Sequence, residues 1–81
     1  MPTKNLSFNR HRAKRERLRQ GLTLNELADR CEEAGERIDD TLLCRYEKGL
    51  FGPSPRRLPV LARALNISVD DLLTENRQES A

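Results

Sequence analysis

Residues 38–49, IDDTLLCRYEKG, carry the pattern that decides the fold. Asp39 belongs to the residue types favoured at a helix N-cap, and Gly49 to those favoured just beyond the last turn. Between them, Leu43 and Tyr46 lie three residues apart and define one inward face. The stretch therefore predicts a short helix over residues 39–48, with its second aspartate in the first turn, where the helix dipole favours a carboxylate.

A second helix is predicted upstream, over residues 23–34. Thr23 and Glu26 have the spacing of a capping box, and Gly35 can end the helix in a left-handed conformation. A first helix is predicted over residues 8–20, with a thin apolar face. The predicted inward residues are Leu24, Leu27, Ala28 and Cys31 in the second helix, and Phe8, Ala13 and Leu18 in the first.

Two more helices are predicted downstream. Ser54 followed by Pro55 is a cap with a proline at the first helical position, and Asn66 is a plausible end for that helix. Pro59 removes one backbone hydrogen bond and predicts a bend. A fifth helix should begin at Ser68, in the capping box SVDD. No stretch shows the two-residue period of a strand.

The sequence thus predicts an all-α fold, a compact bundle of about five short helices over residues 8–74. We expect residues 1–7 to form a flexible basic arm and residues 75–81 a disordered polar tail. The chain has 81 residues, enough for one domain with a modest core. It has no apolar run long enough to span a bilayer, so the expected location is the cytoplasm.

The chemistry-bearing residues exclude several classes of protein. The chain has two cysteines and one histidine, too few for a structural zinc site, and we expect Cys31 and Cys44 to be reduced rather than disulfide-bonded. No Ser/His/Asp set, glycine-rich phosphate loop or pair of catalytic carboxylates is present. We therefore expect neither an enzyme nor a cofactor nor a metal.

Charge is distributed unevenly along the chain. Residues 1–19 contain seven Lys/Arg and one Glu, whereas residues 20–47 contain three Lys/Arg and eight Asp/Glu. Residues 48–63 contain four Lys/Arg and no acid. Two basic blocks that meet on one face would be a footprint for nucleic acid. A solvated helix surface would give the same composition, so charge alone leaves both interpretations open.

Three segments together resemble the lambda-repressor/Cro-type (Xre-like) helix-turn-helix family: GLTLNELA (21–28), IDDTLLCRYEKG (38–49) and PSPRRLPVLARALNISVDDLL (53–73). The resemblance implies a second helix across the DNA backbone and a third in the major groove. The chain departs from the family pattern in three places. Leu24 replaces a frequent Gln, and Glu16 stands where an apolar residue is expected. About five extra residues lie between Ala28 and Glu47, which implies a longer second helix or a looser turn.

Site residues follow from the same resemblance. Arg45 would bind guanine and Asp40 would accept from cytosine N4. The alternative for Arg45 is a surface salt bridge to Glu33 or Glu47. Glu47 is also expected to pair with Arg17. The expected base-contacting residues are Asp40, Thr41, Leu42 and Arg45, and the expected phosphate-contacting residues are Thr23, Asn25, Lys48, Arg56, Arg57 and, in the basic block, Lys4 and Arg10.

The function that this implies is a sequence-specific regulator of transcription that binds double-stranded DNA. We expect a repressor-like protein of the Cro or controller-protein type, acting as a homodimer on a palindromic operator in a bacterial or phage-infected cell. One alternative is an antitoxin-type protein that binds a toxin partner and regulates its own promoter. Another is a protein-interaction domain that has lost DNA binding.

Overall fold

The structure, a computed structural model, describes the backbone of residues 6–75 and the side chains of residues 7–73. Within this part of the chain there are four α-helices, one 3-10 turn and two short strands. None of these helices has the length and apolar character needed to cross a membrane. In chain order the elements are β1 (Leu6–Phe8), α1 (Arg10–Arg19), α2 (Leu24–Glu33), α3 (Asp40–Lys48), α4 (Arg57–Leu65), the 3-10 turn (Asp70–Leu72) and β2 (Leu73–Glu75).

Helix α2 begins as the sequence predicts. The Thr23 hydroxyl accepts from the Glu26 N–H at 3.0 Å, and the Glu26 carboxylate accepts from the Thr23 N–H at 2.9 Å. Both bonds of the capping box are therefore present. Helix α2 is followed by Gly35 at a φ of 135°, a conformation that favours glycine.

Helix α3 has the predicted position but not the predicted N-terminal bond. Asp39 is the N-cap residue, yet its side chain makes no capping hydrogen bond. The carboxylate of Asp40 instead accepts from the N–H of Thr41 at 2.8 Å. At the other end, Gly49 adopts the left-handed conformation, with φ 79°, and ends the helix as expected.

Helix α4 is preceded by one turn that the proline pattern explains. The carbonyl of Ser54 accepts from the N–H of Leu58 at 2.9 Å, so the chain already turns at Ser54. Because Pro59 has no N–H, it cannot donate to the carbonyl of the residue four positions before it, and the regular helix begins at Arg57. Asn66 ends α4, as predicted, and the structure shows it in the left-handed conformation with φ 62°.

Helix α1 begins later than predicted and buries a different face. Asn9 caps it by accepting from a first-turn N–H, so the helix runs from Arg10 rather than from Phe8. Leu18, predicted to face inward, is 57% exposed, whereas Glu16 is only 6% exposed. Glu16 is tolerated there because ion pairs neutralise it: its carboxylate oxygens lie 3.3 Å from Arg12 Nε and 2.8 Å from Arg19 Nη2.

The predicted fifth helix is one 3-10 turn, so the described bundle has four α-helices. The capping bonds between Ser68 and Asp71 are present, at 3.0 to 3.2 Å. After Leu72 the chain extends into β2, which pairs antiparallel with β1. The sequence did not predict these strands, because three residues are too few to show a two-residue period and because each strand pairs with one far away in the sequence.

The strand pair also corrects the predicted domain boundaries. Residues 6 and 7, predicted to belong to a flexible arm, are in β1, and residue 75, predicted to begin a disordered tail, is in β2. The rest of the predicted arm and tail lies outside the described residues. The all-α, helix-turn-helix character of the domain is confirmed.

The core lies between α2, α3 and α4, and α1 covers it on the α3 side. Phe8 and Leu42 are partly buried and pack against this core. Both cysteines are free, Cys31 in the core and Cys44 half-buried. The buried apolar residues are Ala13, Leu27, Ala28, Cys31, Ile38, Leu43, Tyr46, Leu61, Ala62, Ala64, Leu65 and Leu72.

Candidate nucleic-acid interface

The connection between α2 and α3 is longer than in most helix-turn-helix units. Six residues, 34–39, join the two helices, where three or four are usual. The carbonyl of Cys31 accepts from the N–H groups of Ala34 and Glu36, both at 3.1 Å, which tightens the start of the connection. Near the other end of the connection, the side chain of Ile38 is buried in the core. The extra residues therefore form an ordered turn, and α3 still packs against α2.

Three polar residues of α3 point away from the core. Thr41, Arg45 and Lys48 are exposed and recur at four- and three-residue spacing, so they share one side of the helix. The buried Leu43 and Tyr46 occupy the opposite side. This exposed side combines a hydroxyl with two cations, which are groups that contact base edges and phosphates.

Arg45 has no ion pair among the described residues, although the sequence allowed one with Glu33 or Glu47. Glu47 is engaged elsewhere, by Arg17. The guanidinium of Arg45 is therefore exposed on the outer side of α3. Of the other predicted base-contacting residues, Asp40 is also exposed, whereas Leu42 is half-buried and has only part of its side chain at the surface.

A two-bonded ion pair joins α1 to α3, between the two residues that the family resemblance pairs. Arg17 Nε and Nη2 donate to the carboxylate oxygens of Glu47 at 2.7 and 3.0 Å. Both side chains are 11% exposed. The hydrogen bond to Glu47 raises the pKa of Arg17, and Arg17 Nη1 also donates to the carbonyl of Leu22 at 2.7 Å. The pair fixes the position of α3 relative to α1.

Arg10 has a structural role at the end of α3 that the sequence did not indicate. Its Nη1 donates to the carbonyl of Glu47 at 3.2 Å, which satisfies one acceptor in the last turn of the helix. Its side chain lies against Gly49, where a Cβ would come within 2.8 Å of Arg10 Nε. Arg10, predicted to contact phosphate, is thus half-buried and bonded to the protein. Lys4, its companion in that prediction, lies outside the described residues.

Arg56 and Arg57, also predicted phosphate contacts, both bind one carboxylate. Arg56 donates to the two oxygens of Glu36 at 3.2 and 3.1 Å, and Arg57 Nε donates at 3.2 Å. The hydrogen bonds from Arg56 and then Arg57 hold the pKa of Glu36 below its usual value. Sequence reasoning missed Glu36, because it lies about twenty residues from its partners and no local pattern links them.

The N-terminus of α2 places its two predicted phosphate-contacting residues at the surface. Thr23 and Asn25 are exposed, and the first-turn N–H groups beside them form the positive end of the helix dipole. The side-chain oxygen of Asn25 is 3.4 Å from Arg37 Nη2. Arg37, which the sequence analysis did not select, also donates to Asp29 at 2.7 Å and Glu32 at 3.1 Å.

Comparison with known protein families agrees with this arrangement. A helix-turn-helix family model, HTH_3, matches residues 12–72, which include all four helices in whole or in part and cover well over half of the chain. A search of curated proteins found no significant match. The matched range contains the α2–turn–α3 unit together with Arg17 and Glu47. The chain belongs to the Xre/lambda repressor-like helix-turn-helix family of DNA-binding transcription regulators.

Proposed function

We propose that this protein is a repressor-type regulator that binds a palindromic operator as a homodimer, with α3 in the major groove. The single observation that carries the proposal is the outer side of α3. Thr41, Arg45 and Lys48 are exposed together there, on a helix whose position the Arg17–Glu47 pair fixes. The major groove of B-DNA admits an α-helix, and the family supplies the orientation.

Base contacts would come from the exposed side and the N-terminus of α3. The guanidinium of Arg45 matches the O6 and N7 acceptors of guanine, and Thr41 can donate to a base edge or contact a thymine methyl. Asp40 uses one carboxylate oxygen for the Thr41 N–H. Its carboxylate can accept from cytosine N4 and would disfavour bases that offer only acceptors. Asp40 would thereby contribute specificity while lowering general affinity.

Phosphate contacts would come from the last turn of α3 and from the N-terminus of α2. Lys48 lies in the last turn of α3, and Thr23 and Asn25 lie at the positive end of the α2 dipole. Such contacts position the protein on the duplex without selecting sequence. In a homodimer, two α3 helices about 34 Å apart would occupy successive major grooves, so an operator with two-fold symmetry is expected.

The test of this proposal is selection of bound duplexes from a random pool at a stated salt concentration. A palindromic consensus, with half-sites about one helical turn apart, is the expected outcome. An unenriched pool would contradict sequence-specific binding. Repression is tested separately, with a reporter whose promoter overlaps the selected operator: expression should fall when the protein is supplied.

Arg45→Ala should remove the largest share of the sequence preference. Loss of a two-bonded guanine contact costs about 1–3 kcal/mol of discrimination, so the ratio of operator to random-DNA affinity should fall roughly 5- to 150-fold. Lys48→Ala is the matched control, because it removes a charge from the same side of α3. It should weaken both complexes alike and flatten the salt dependence by about one phosphate. Equal losses of preference in the two variants would contradict a base contact by Arg45.

One observation favours an alternative, binding to a protein partner as an antitoxin or interaction module. Leu50 and Phe51, directly after α3, are 65% and 47% exposed. Exposed apolar residues of this size often mark contact surfaces. Coexpression with the product of the adjacent gene distinguishes the alternatives: a stoichiometric complex that Phe51→Ser dissolves would favour the antitoxin reading, and DNA selection would remain the test of operator binding.

A further inference from the structure

Two arginines converge on one carboxylate between the α2–α3 turn and the start of α4. Glu36 lies in the turn, Arg57 is the first residue of α4, and Arg56 precedes it. Arg56 holds both carboxylate oxygens through Nε and Nη2, at 3.2 and 3.1 Å. Arg57 Nε holds one of the same oxygens at 3.2 Å. We call these two guanidinium groups the Arg56–Arg57 site.

The geometry of this site suits a phosphate as well as a carboxylate. A guanidinium binds either oxyanion through two parallel N–H bonds, and arginine is favoured wherever such planar recognition is needed. Here three N–H donors from two side chains point at one small anion. In the structure this anion is the side-chain carboxylate of Glu36, which belongs to the same chain.

The site is open to solvent, so its occupant can be exchanged. The side chain of Arg56 is 79% exposed, that of Arg57 35% and that of Glu36 25%. Ion pairs with this exposure contribute little to stability, because water competes for both partners. Exchange of Glu36 for an external anion would therefore cost little, in contrast to opening the pair between Arg17 and Glu47, whose side chains are each 11% exposed.

We propose that Glu36 occupies a phosphate-binding site formed by Arg56 and Arg57 and competes with the DNA backbone for both arginines. The identification of DNA as the source of the phosphate rests on the proposed function, whereas the anion site itself does not. The competition lowers affinity for every duplex alike and leaves the base contacts of α3 unchanged. Glu36 therefore limits the general affinity for DNA, random DNA included, without changing the ratio of operator to random-DNA affinity.

Glu36→Gln tests the competition, with Asp29→Asn as a matched control. Asp29 also accepts from an arginine, Arg37, at 2.7 Å, so the control removes the same charge from the same acidic block without touching the Arg56–Arg57 site. On a random duplex, Glu36→Gln should bind about three- to tenfold more tightly. The slope of log K against the logarithm of the salt concentration should be more negative by about one for this variant. Equal changes in the two variants would overturn the proposal.

A second comparison assigns the gain to the two arginines. In an Arg56→Ala/Arg57→Ala background, Glu36→Gln should no longer tighten binding to the random duplex. A gain that persists in this background would overturn the proposal, since it would reflect net charge alone. Glu36→Ala, which has no amide to replace the carboxylate, should reproduce the gain of Glu36→Gln in the otherwise unchanged protein.

Inorganic phosphate tests the anion site without DNA. At equal ionic strength, replacing chloride by phosphate should raise the Tm of Glu36→Gln more than that of the unsubstituted protein or Asp29→Asn. An identical phosphate response in all three would overturn the site. If phosphate stabilises Glu36→Gln but no variant binds any duplex, the proposed DNA-binding function fails and the anion site stands.

Discussion

Two junctions near α3 both rely on arginine and a carboxylate. At the junction with α1, Arg17 and Glu47 form a pair whose side chains are each 11% exposed, and Arg17 also bonds a backbone carbonyl. At the junction of the α2–α3 turn with α4, Glu36 meets Arg56 and Arg57 at the surface. The chemistry is the same, but the access of water differs.

This difference separates a structural pair from an exchangeable one. Removing one member of a buried pair leaves a charge without water or partner, whereas removing one member of a surface pair leaves a charge that water solvates. The α1 junction therefore sets where α3 lies. The turn junction, by contrast, can release its arginines to another anion with little change in the fold.

The largest test of this contrast compares Arg17→Met with Arg37→Met. Arg17→Met leaves the carboxylate of Glu47 without its partner in a nearly closed site, so the free energy of unfolding should fall by about 2–4 kcal/mol. Arg37 pairs with Asp29 and Glu32 at the surface, and Arg37→Met should cost less than about 1 kcal/mol. Urea denaturation measures both. Similar losses in the two variants would contradict the distinction between a nearly closed ion pair and a surface ion pair.

A smaller effect is expected at the end of α3, where Gly49 and Arg10 meet. Gly49→Ala forces a left-handed alanine, at about 1–2 kcal/mol, and also displaces the Arg10 side chain from its bond to the Glu47 carbonyl. Gly21, with φ 72°, has nothing within 4 Å of a Cβ, so Gly21→Ala should show the conformational cost alone. Thermal unfolding should rank Gly49→Ala as the less stable. In an Arg10→Ala background the difference between the two should vanish.

The smallest effect is expected from acid. Hydrogen bonds from arginine lower the pKa of Glu36 and Glu16, and those from Ser68 lower that of Asp71. Each carboxylate therefore stabilises the fold fully above its unfolded pKa, 4.5 for Glu and 3.8 for Asp, and loses this contribution as the pH falls through its lower folded pKa.

Stability should accordingly be level from pH 7 to about 5 and decline below about pH 4.5. Urea midpoints across this range measure the decline. In Glu36→Gln the decline should be shallower, and added salt should reduce the difference between the two proteins, since the group lies at the surface. A decline of the same size in both proteins would show that Glu36 contributes nothing to it.

Local signals in the sequence predicted the start of α2 and the ends of α3 and α4 correctly. The capping box at Thr23 and the helix ends at Gly49 and Asn66 each depend on a few neighbouring residues. The nearby sequence is therefore enough to predict them. Asp39 shows the limit of this reasoning. Its position was correct, but the adjacent carboxylate of Asp40 bonds the first-turn N–H of Thr41, and no side-chain capping bond forms at Asp39.

Other features were not predictable in the same way. Leu18 was predicted to face inward but is exposed, whereas Glu16 takes the inward position that the family pattern gives to an apolar residue, and Arg12 and Arg19 neutralise it there. Among the candidate site residues, the exposed Arg45 and Thr41 follow from helix periodicity. The bonding of Arg56 to Glu36 does not, because it depends on where a turn and a helix start meet in space.

The short ladder between β1 and β2 has a consequence for how the chain can be rearranged or extended. Phe8 pairs with Leu73 and Ser7 with Thr74, so the described chain begins and ends at one edge of the molecule. The path of the described chain therefore nearly closes on itself, because β1 and β2 pair although they lie far apart in the sequence. A domain joined at either end of the described range would therefore leave from the same edge. A circular permutant opened elsewhere, for example in the loop before α4, should retain the fold, because the new peptide link has only a short gap to bridge.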